Sequence, residues 1–114
     1  MADWYLIGKA VTFLVEAARN GQVVYYGELG RHLGVEPIAL DKVVLGYIRD
    51  DICEEHRWPP LTAIVVNKDT GAPGAGFWTA WPHLKREDWD REWVDMVNRV
   101  FAHDWGECLR RYGR

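Results

Sequence analysis

The sequence predicts an α+β fold, on three observations. Three stretches carry apolar residues at helical spacing, two short runs are rich in β-branched residues, and clusters of glycine and proline separate them. A chain of 114 residues is expected to form one domain spanning 1–114. Hydrophobic residues make up 48% of it, with seven Trp and five Tyr. That much apolar surface excludes a disordered chain, which has too little to offset its ordering entropy.

The elements follow in order. Asp3 can N-cap a first helix that runs to about Asn20, with Gly21 as its stop. Leu6, Ile7, Ala10, Val11, Leu14, Ala17 and Ala18 form its buried stripe. Residues 22–25 are β-prone and short. A second helix spans about 27–33 and stops at Gly34. Pro37 suits the first turn of a third helix, where its missing N–H needs no partner. Leu40, Val43, Val44, Tyr47, Ile48 and Ile52 line one face of that helix, and Asp41, Lys42, Arg49 and Asp50 line the other. Trp58-Pro59-Pro60 ends it.

Residues 61–66 read as a strand and Lys68-Asp69-Thr70-Gly71 as a turn. After the breaker at 72–76, Phe77-Trp78-Thr79 is expected to pair back as a strand. A last helix is expected over about 85–104, striped by Trp89, Trp93, Met96, Val97, Val100 and Phe101 and docked on the first helix. Glu87–Arg91 and Asp95–Arg99 stand four apart in the favoured orientation. A short helix, a tight turn, a longer helix and a hairpin make the winged variant of the helix-turn-helix, here over residues 22–79. The N-terminal helix and the long amphipathic C-terminal helix complete the predicted architecture.

The stretch Val23-Val24-Tyr25-Tyr26-Gly27-Glu28-Leu29-Gly30-Arg31-His32-Leu33-Gly34, the third helix to near Gly46, Pro60-Leu61-Thr62-Ala63-Ile64-Val65 and Gly76-Phe77 carry a likeness. Over residues 22–78 the chain resembles the C-terminal domain of the O6-alkylguanine-DNA alkyltransferases and the alkyltransferase-like proteins. The segment 59–68 with Gly71, Pro73, Gly74, Gly76 and Phe77 also looks like small uncharacterised bacterial proteins. The resemblance implies a winged-helix fold and a DNA-facing surface, and no reaction. The family's Pro-Cys-His-Arg centre falls on Pro60, Leu61, Thr62 and Ala63. Leucine forms no thiolate, so alkyl transfer is excluded at Leu61. The family's intercalating arginine falls near Lys42 or Val43, and neither matches it.

Charge bears on the choice of partner. The net charge is −3; the first 49 residues hold five basic and five acidic side chains, and the rest hold nine and twelve. Acid clusters at Asp50, Asp51, Glu54 and Glu55, and again at Glu87, Asp88, Asp90 and Glu92. Binding through phosphates usually goes with a basic excess. Tight indiscriminate DNA binding is therefore disfavoured, while a local basic face is not. Two cysteines are too few for a secreted disulfide scaffold. The start, Met1-Ala2-Asp3-Trp4, lacks a signal-peptide pattern, and no apolar run reaches membrane-span length. A cytoplasmic location without membrane association is the expectation.

Cys53 and His56, with His103 and Cys108, match no standard zinc spacing. Asp50-Asp51 with Glu54-Glu55 read as a solvated helix face before a metal-dependent nuclease. Gly71, Gly74 and Gly76 lack the ending of a phosphate-binding loop. No catalytic residue, metal or cofactor is expected. The leading expectation is a non-catalytic module that binds DNA through Tyr26, Arg31, Lys42, Arg49 and Lys68, with Lys42 and Arg49 two turns apart on one side of the third helix. The alternative is a protein-binding module, such as an antitoxin, immunity protein or inhibitor, that uses its acidic and aromatic surface. Trp58, Trp78, Trp81 and Trp105 exceed what a small core readily hides. A third expectation, an enzyme, needs Tyr26, Arg31, Thr62 or Asn67 in mutual contact. The C-terminal Trp stripe serves a monomer core or a homodimer seam.

Overall fold

A computed structural model describes residues 2–114. It is mostly helical with one two-stranded sheet. Helix α1 spans Trp4–Arg19, and the Asp3 carboxylate accepts the Leu6 N–H at 3.0 Å as its N-cap. Strand β1 (Val24–Tyr25) leads directly into α2 (Tyr26–Leu33). At the start of α2, the Glu28 carboxylate reaches back to the Tyr25 N–H at 3.3 Å. Gly34 closes α2 with φ of 71°, a left-handed conformation that glycine adopts without strain.

The third helical run is wider than an α-helix. It opens as a 3₁₀ turn at Pro37–Ala39 and continues as π-helical turns at Asp41–Leu45 and Ile48–Glu54. We call residues 37–54 the wide helix. Its inner side buries Leu40, Val44, Leu45, Ile48 and Ile52. Arg57, with φ of 58°, turns the chain out of it.

Several expected elements differ. Residues 61–66 do not form one strand. Leu61–Ile64 is a fully buried 3₁₀ turn and only Val65–Val66 is β2. β2 pairs in parallel with β1, Val24 with Val65 and Tyr25 with Val66. A two-residue partner cannot satisfy six residues of backbone, so residues 61–64 pair locally, beginning with Ala63 N–H to the Pro60 carbonyl at 2.9 Å. Residues 77–79 are not a strand and no hairpin forms: Ala75–Ala80 is a 3₁₀ helix. The carbonyls of Gly76 and Phe77 are taken by Arg49 and are lost to any ladder.

The C-terminal helix also divides. A 3₁₀ turn at Arg86–Asp88 leads into α3 (Trp89–Ala102), and a separate α4 spans Gly106–Tyr112. α4 packs on α1, while α3 lies chiefly over the buried 61–64 turn and touches α1 less. Arg91 pairs with Asp88 at 3.2 Å in place of the expected Glu87, whereas Asp95–Arg99 forms as expected at 3.0 Å. Trp105 is 1% exposed and Trp78 is 5% exposed, and Trp58 and Trp81 pack half-buried against the core. The aromatic load is therefore largely internal. No helix among the described residues is long and apolar enough to cross a membrane.

Candidate binding cleft at the start of the wide helix

An open cleft of about 370 Å³ lies between the first turns of the wide helix and the 67–77 loop. Pro37, Ile38 and Asp41 form one wall, and Asn67, Gly74, Gly76 and Phe77 form the other, with Tyr26 beside them. The loop is built from its own hydrogen bonds. Asn67 N–H donates to the Ala72 carbonyl at 2.8 Å, and Gly71 N–H to the Asn67 carbonyl at 2.7 Å. The Asn67 side-chain oxygen accepts the Asp69 N–H at 2.9 Å.

Two long-range ties seat this loop. Gly74 N–H donates to the Tyr26 hydroxyl at 2.9 Å. Arg49 donates from one nitrogen to the carbonyls of Gly76 and Phe77, at 2.9 and 3.2 Å, and clamps both Asp50 oxygens at 2.8 and 2.9 Å. The Asp50 hydrogen bonds hold the guanidinium above its ordinary pKa, against the opposing effect of burial. Burial raises the Tyr26 phenol pKa, the Gly74 hydrogen bond lowers it, and the Asp41 carboxylate adds to the rise. Tyr26 therefore stays a neutral phenol at physiological pH.

The predicted site residues divide. Tyr26 lines the cleft. Arg31 is exposed and lines a neighbouring concavity with Gly27, Gly34, Glu36 and Pro37. Lys42 is exposed in another, beside Asp41, Gly46, Tyr47, Asp50 and Asp51. Lys68 is exposed in the turn. Arg49 departs from expectation: it is 9% exposed and its donors are engaged inside the chain. The expected Lys42–Arg49 alignment assumed α-helical turns. In π-helical hydrogen bonding each turn takes up more residues, so this spacing no longer makes two whole turns, and the two side chains part.

The constellation that an enzyme would need is assembled only in part. Tyr26 and Asn67 share the cleft, Arg31 lines the adjoining concavity, and Thr62 is buried with an unpartnered hydroxyl. Leu61 is wholly buried. Both cysteines are buried and reduced. Burial pushes the Cys53 thiol up to about 12 and the Cys108 thiol up to about 11. Among the described residues no three His, Cys, Asp or Glu side chains are grouped to hold a metal ion.

Sequence reasoning missed Ile38, Asp41 and Phe77 as cleft residues. Ile38 is 95% exposed although it is a large aliphatic side chain. An isoleucine next to Pro37, off the apolar stripe of its own helix, was the available signal. The Asp41 carboxylate accepts no hydrogen bond and has no salt-bridge partner among the described residues. One of its oxygens stands 3.1 Å from where a Cβ on Gly76 would lie, so the loop approaches the carboxylate closely because residue 76 has no side chain. No family model, no curated protein and no solved structure matches the chain.

Proposed function

We propose that this chain is a non-catalytic binding module that docks a partner protein through the acidic outer side of the wide helix. The observation that carries this reading is the concavity where Asp41, Asp50 and Asp51 meet with Lys42 as the lone cation of its lining. Glu54 and Glu55 extend the exposed acid beyond it. Arg49 is turned inward and its guanidinium neutralises Asp50 alone, which leaves Asp41, Asp51, Glu54 and Glu55 in no salt bridge among the described residues. Such a surface attracts a basic partner and repels phosphate, because complementary potentials steer encounter and like charges suppress it. An antitoxin, an immunity protein or another inhibitor of a basic protein fits that chemistry. The aromatic residues contribute little to this reading, since most of them pack inside.

A second reading keeps the winged-helix resemblance and DNA as the ligand. Arg31, Lys42 and Lys68 are exposed, and the start of the wide helix projects Ile38 almost fully into solvent, where a recognition helix would meet a groove. The 67–77 loop would then stand in the place of the wing.

One titration separates the two. The ¹⁵N-labelled chain is mixed at low salt with an arginine-rich peptide, with an acidic peptide, and with a DNA duplex. The partner-protein reading expects shifts at amides 41–55 with the basic peptide alone, lost in the Asp50→Lys/Asp51→Lys variant. Shifts around Arg31, Lys42 and Lys68 with duplex, and none with basic peptide, would replace it by the DNA reading.

A further inference from the structure

The cleft beside Asp41 combines features that the acidic outer side lacks. Its volume of about 370 Å³ falls within the range of small-ligand pockets, about 300–1,000 Å³, against about 280 Å³ for the acidic concavity. Its walls are apolar at Pro37, Ile38 and Phe77. Its charged group is a single carboxylate without an internal partner. Arg49 feels the Asp41 charge through space but spends its donors on Asp50 and two carbonyls, so it forms no direct ion pair with Asp41. The Asn67 amide adds a further polar group at the rim.

An exposed carboxylate beside apolar walls matches one kind of ligand: a cationic head on an aliphatic stem. The head forms charge-assisted hydrogen bonds with the carboxylate, and the methylenes lie along apolar surface. Lysine and arginine side chains have this form, as do free alkylamines and alkylguanidines. Two observations favour a side chain carried by a protein. Ile38, 95% exposed at the lip, offers apolar area beyond what a small free cation covers. The cleft also shares Asp41 with the acidic concavity next to it, so a partner seated on one reaches the other.

We propose that the cleft is the anchor pocket for one lysine or arginine side chain of the partner protein, its cation held by Asp41 and its stem laid against Pro37, Ile38 and Phe77. The proposal rests on the partner-protein reading and adds to it a specific contact. Arginine, with tryptophan and tyrosine, is among the residues enriched at interface hot spots.

The test is a chemical-shift titration of the full chain with n-butylguanidinium, against n-butylurea as its uncharged counterpart. The cation should shift the amides of Asn67, Gly74, Gly76 and Phe77 and bind about tenfold more tightly than the urea, as a charged hydrogen bond implies. Asp41→Asn should erase that preference. Gly76→Ala, whose new methyl crowds the carboxylate, should weaken it, and the rest of the spectrum reports whether each variant is folded. A capped Gly-Gly-Arg-Gly-Gly peptide should bind at least as well as the free cation and should also shift Ile38.

Equal binding of urea and cation, or an unchanged preference in Asp41→Asn, would overturn the pocket. Binding of the free cation with exclusion of the peptide would make it a small-amine site and overturn the partner assignment. Duplex DNA shifting the same amides, with no response to the cation, would overturn it as well. An arginine-rich peptide that shifts residues 50–55 while the cleft stays silent would sink this inference and leave the partner-protein reading standing.

Discussion

Trp93 donates its indole N–H to the carbonyl of Ala63 at 2.8 Å and so ties α3 to the buried turn that precedes β2. The indole both covers that turn and satisfies an acceptor on a residue with no exposed surface. Trp93→Ala should destabilise the fold by about 2–4 kcal/mol, less than a wholly buried indole because Trp93 is half-buried. Trp93→Phe should cost about 1–2 kcal/mol, mostly for the orphaned carbonyl. Chemical denaturation with unchanged slopes measures both. Val97 and Val100 are buried within the chain itself, so the melting temperature should not depend on protein concentration. A melting temperature that climbs with concentration would make the stripe a dimer seam.

Arg49 holds the cleft loop, and its removal should loosen that loop before it unfolds the chain. Arg49→Ala leaves the Phe77 carbonyl without this donor and the Gly76 carbonyl with the Thr79 hydroxyl at 2.9 Å. Asp50 is half exposed, so the ion pair itself contributes under about 1 kcal/mol and the two carbonyl bonds the larger share. The expected loss is about 2–3 kcal/mol. Amide exchange over 74–81 should accelerate more than exchange in α1. Arg49→Lys should recover only part, since an ammonium cannot clamp a carboxylate and reach two carbonyls at once. Uniform acceleration across the whole chain would show that Arg49 acts on global stability and has no particular hold on the loop.

What was legible in the sequence, and what was not, divides along the range of the forces. Asp3 as a cap, Gly34 as a stop and Pro37 as a first turn are decided within a few residues, and each stands where local rules place it. The apolar stripe of α1 was legible for the same reason. The hairpin was not, because a strand at 77–79 needs a partner, and the carbonyls it would offer belong to Arg49. Arg49 itself was misplaced because its direction depends on the width of the helix, and periodicity assumes the α form. Asp41 read as one more surface acid; its importance comes from the approach of Gly76, far along the chain. No element was expected past residue 104, although Cys108, Leu109 and Tyr112 of α4 have helical spacing.

The two cysteines should be chemically silent in the native protein. Burial dominates both thiols, at about 12 for Cys53 and about 11 for Cys108, so almost no thiolate exists at pH 8. A disulfide-exchange reagent should label the native chain about 10³-fold or more slowly than the denatured chain, with both thiols exposed by the same opening. Fast labelling of one cysteine alone would mean that its helix, the wide helix or α4, opens on its own.

His103 sets a pH dependence whose sign follows from its surroundings. Its ring lies edge-on to Trp105 at 4.4 Å and near Trp58 at 6.0 Å. Burial against these indoles lowers its pKa, and the adjacent Asp104 only partly opposes the shift. The folded state thus binds the proton less readily than the unfolded chain, whose imidazole titrates near about 6.5. Above that value both states are neutral and His103 exerts no pH effect. As pH falls through the unfolded value toward the lower folded one, the unfolded chain gains a proton that the native chain resists, and stability declines. His103→Gln removes this contribution and keeps a planar polar side chain. The drop in melting temperature from pH 7.5 to 5.5 should be smaller in that variant than in the parent. An identical drop in both would assign the acid sensitivity to the carboxylates, and a larger drop in the variant would mean that His103 is stabilised as the cation.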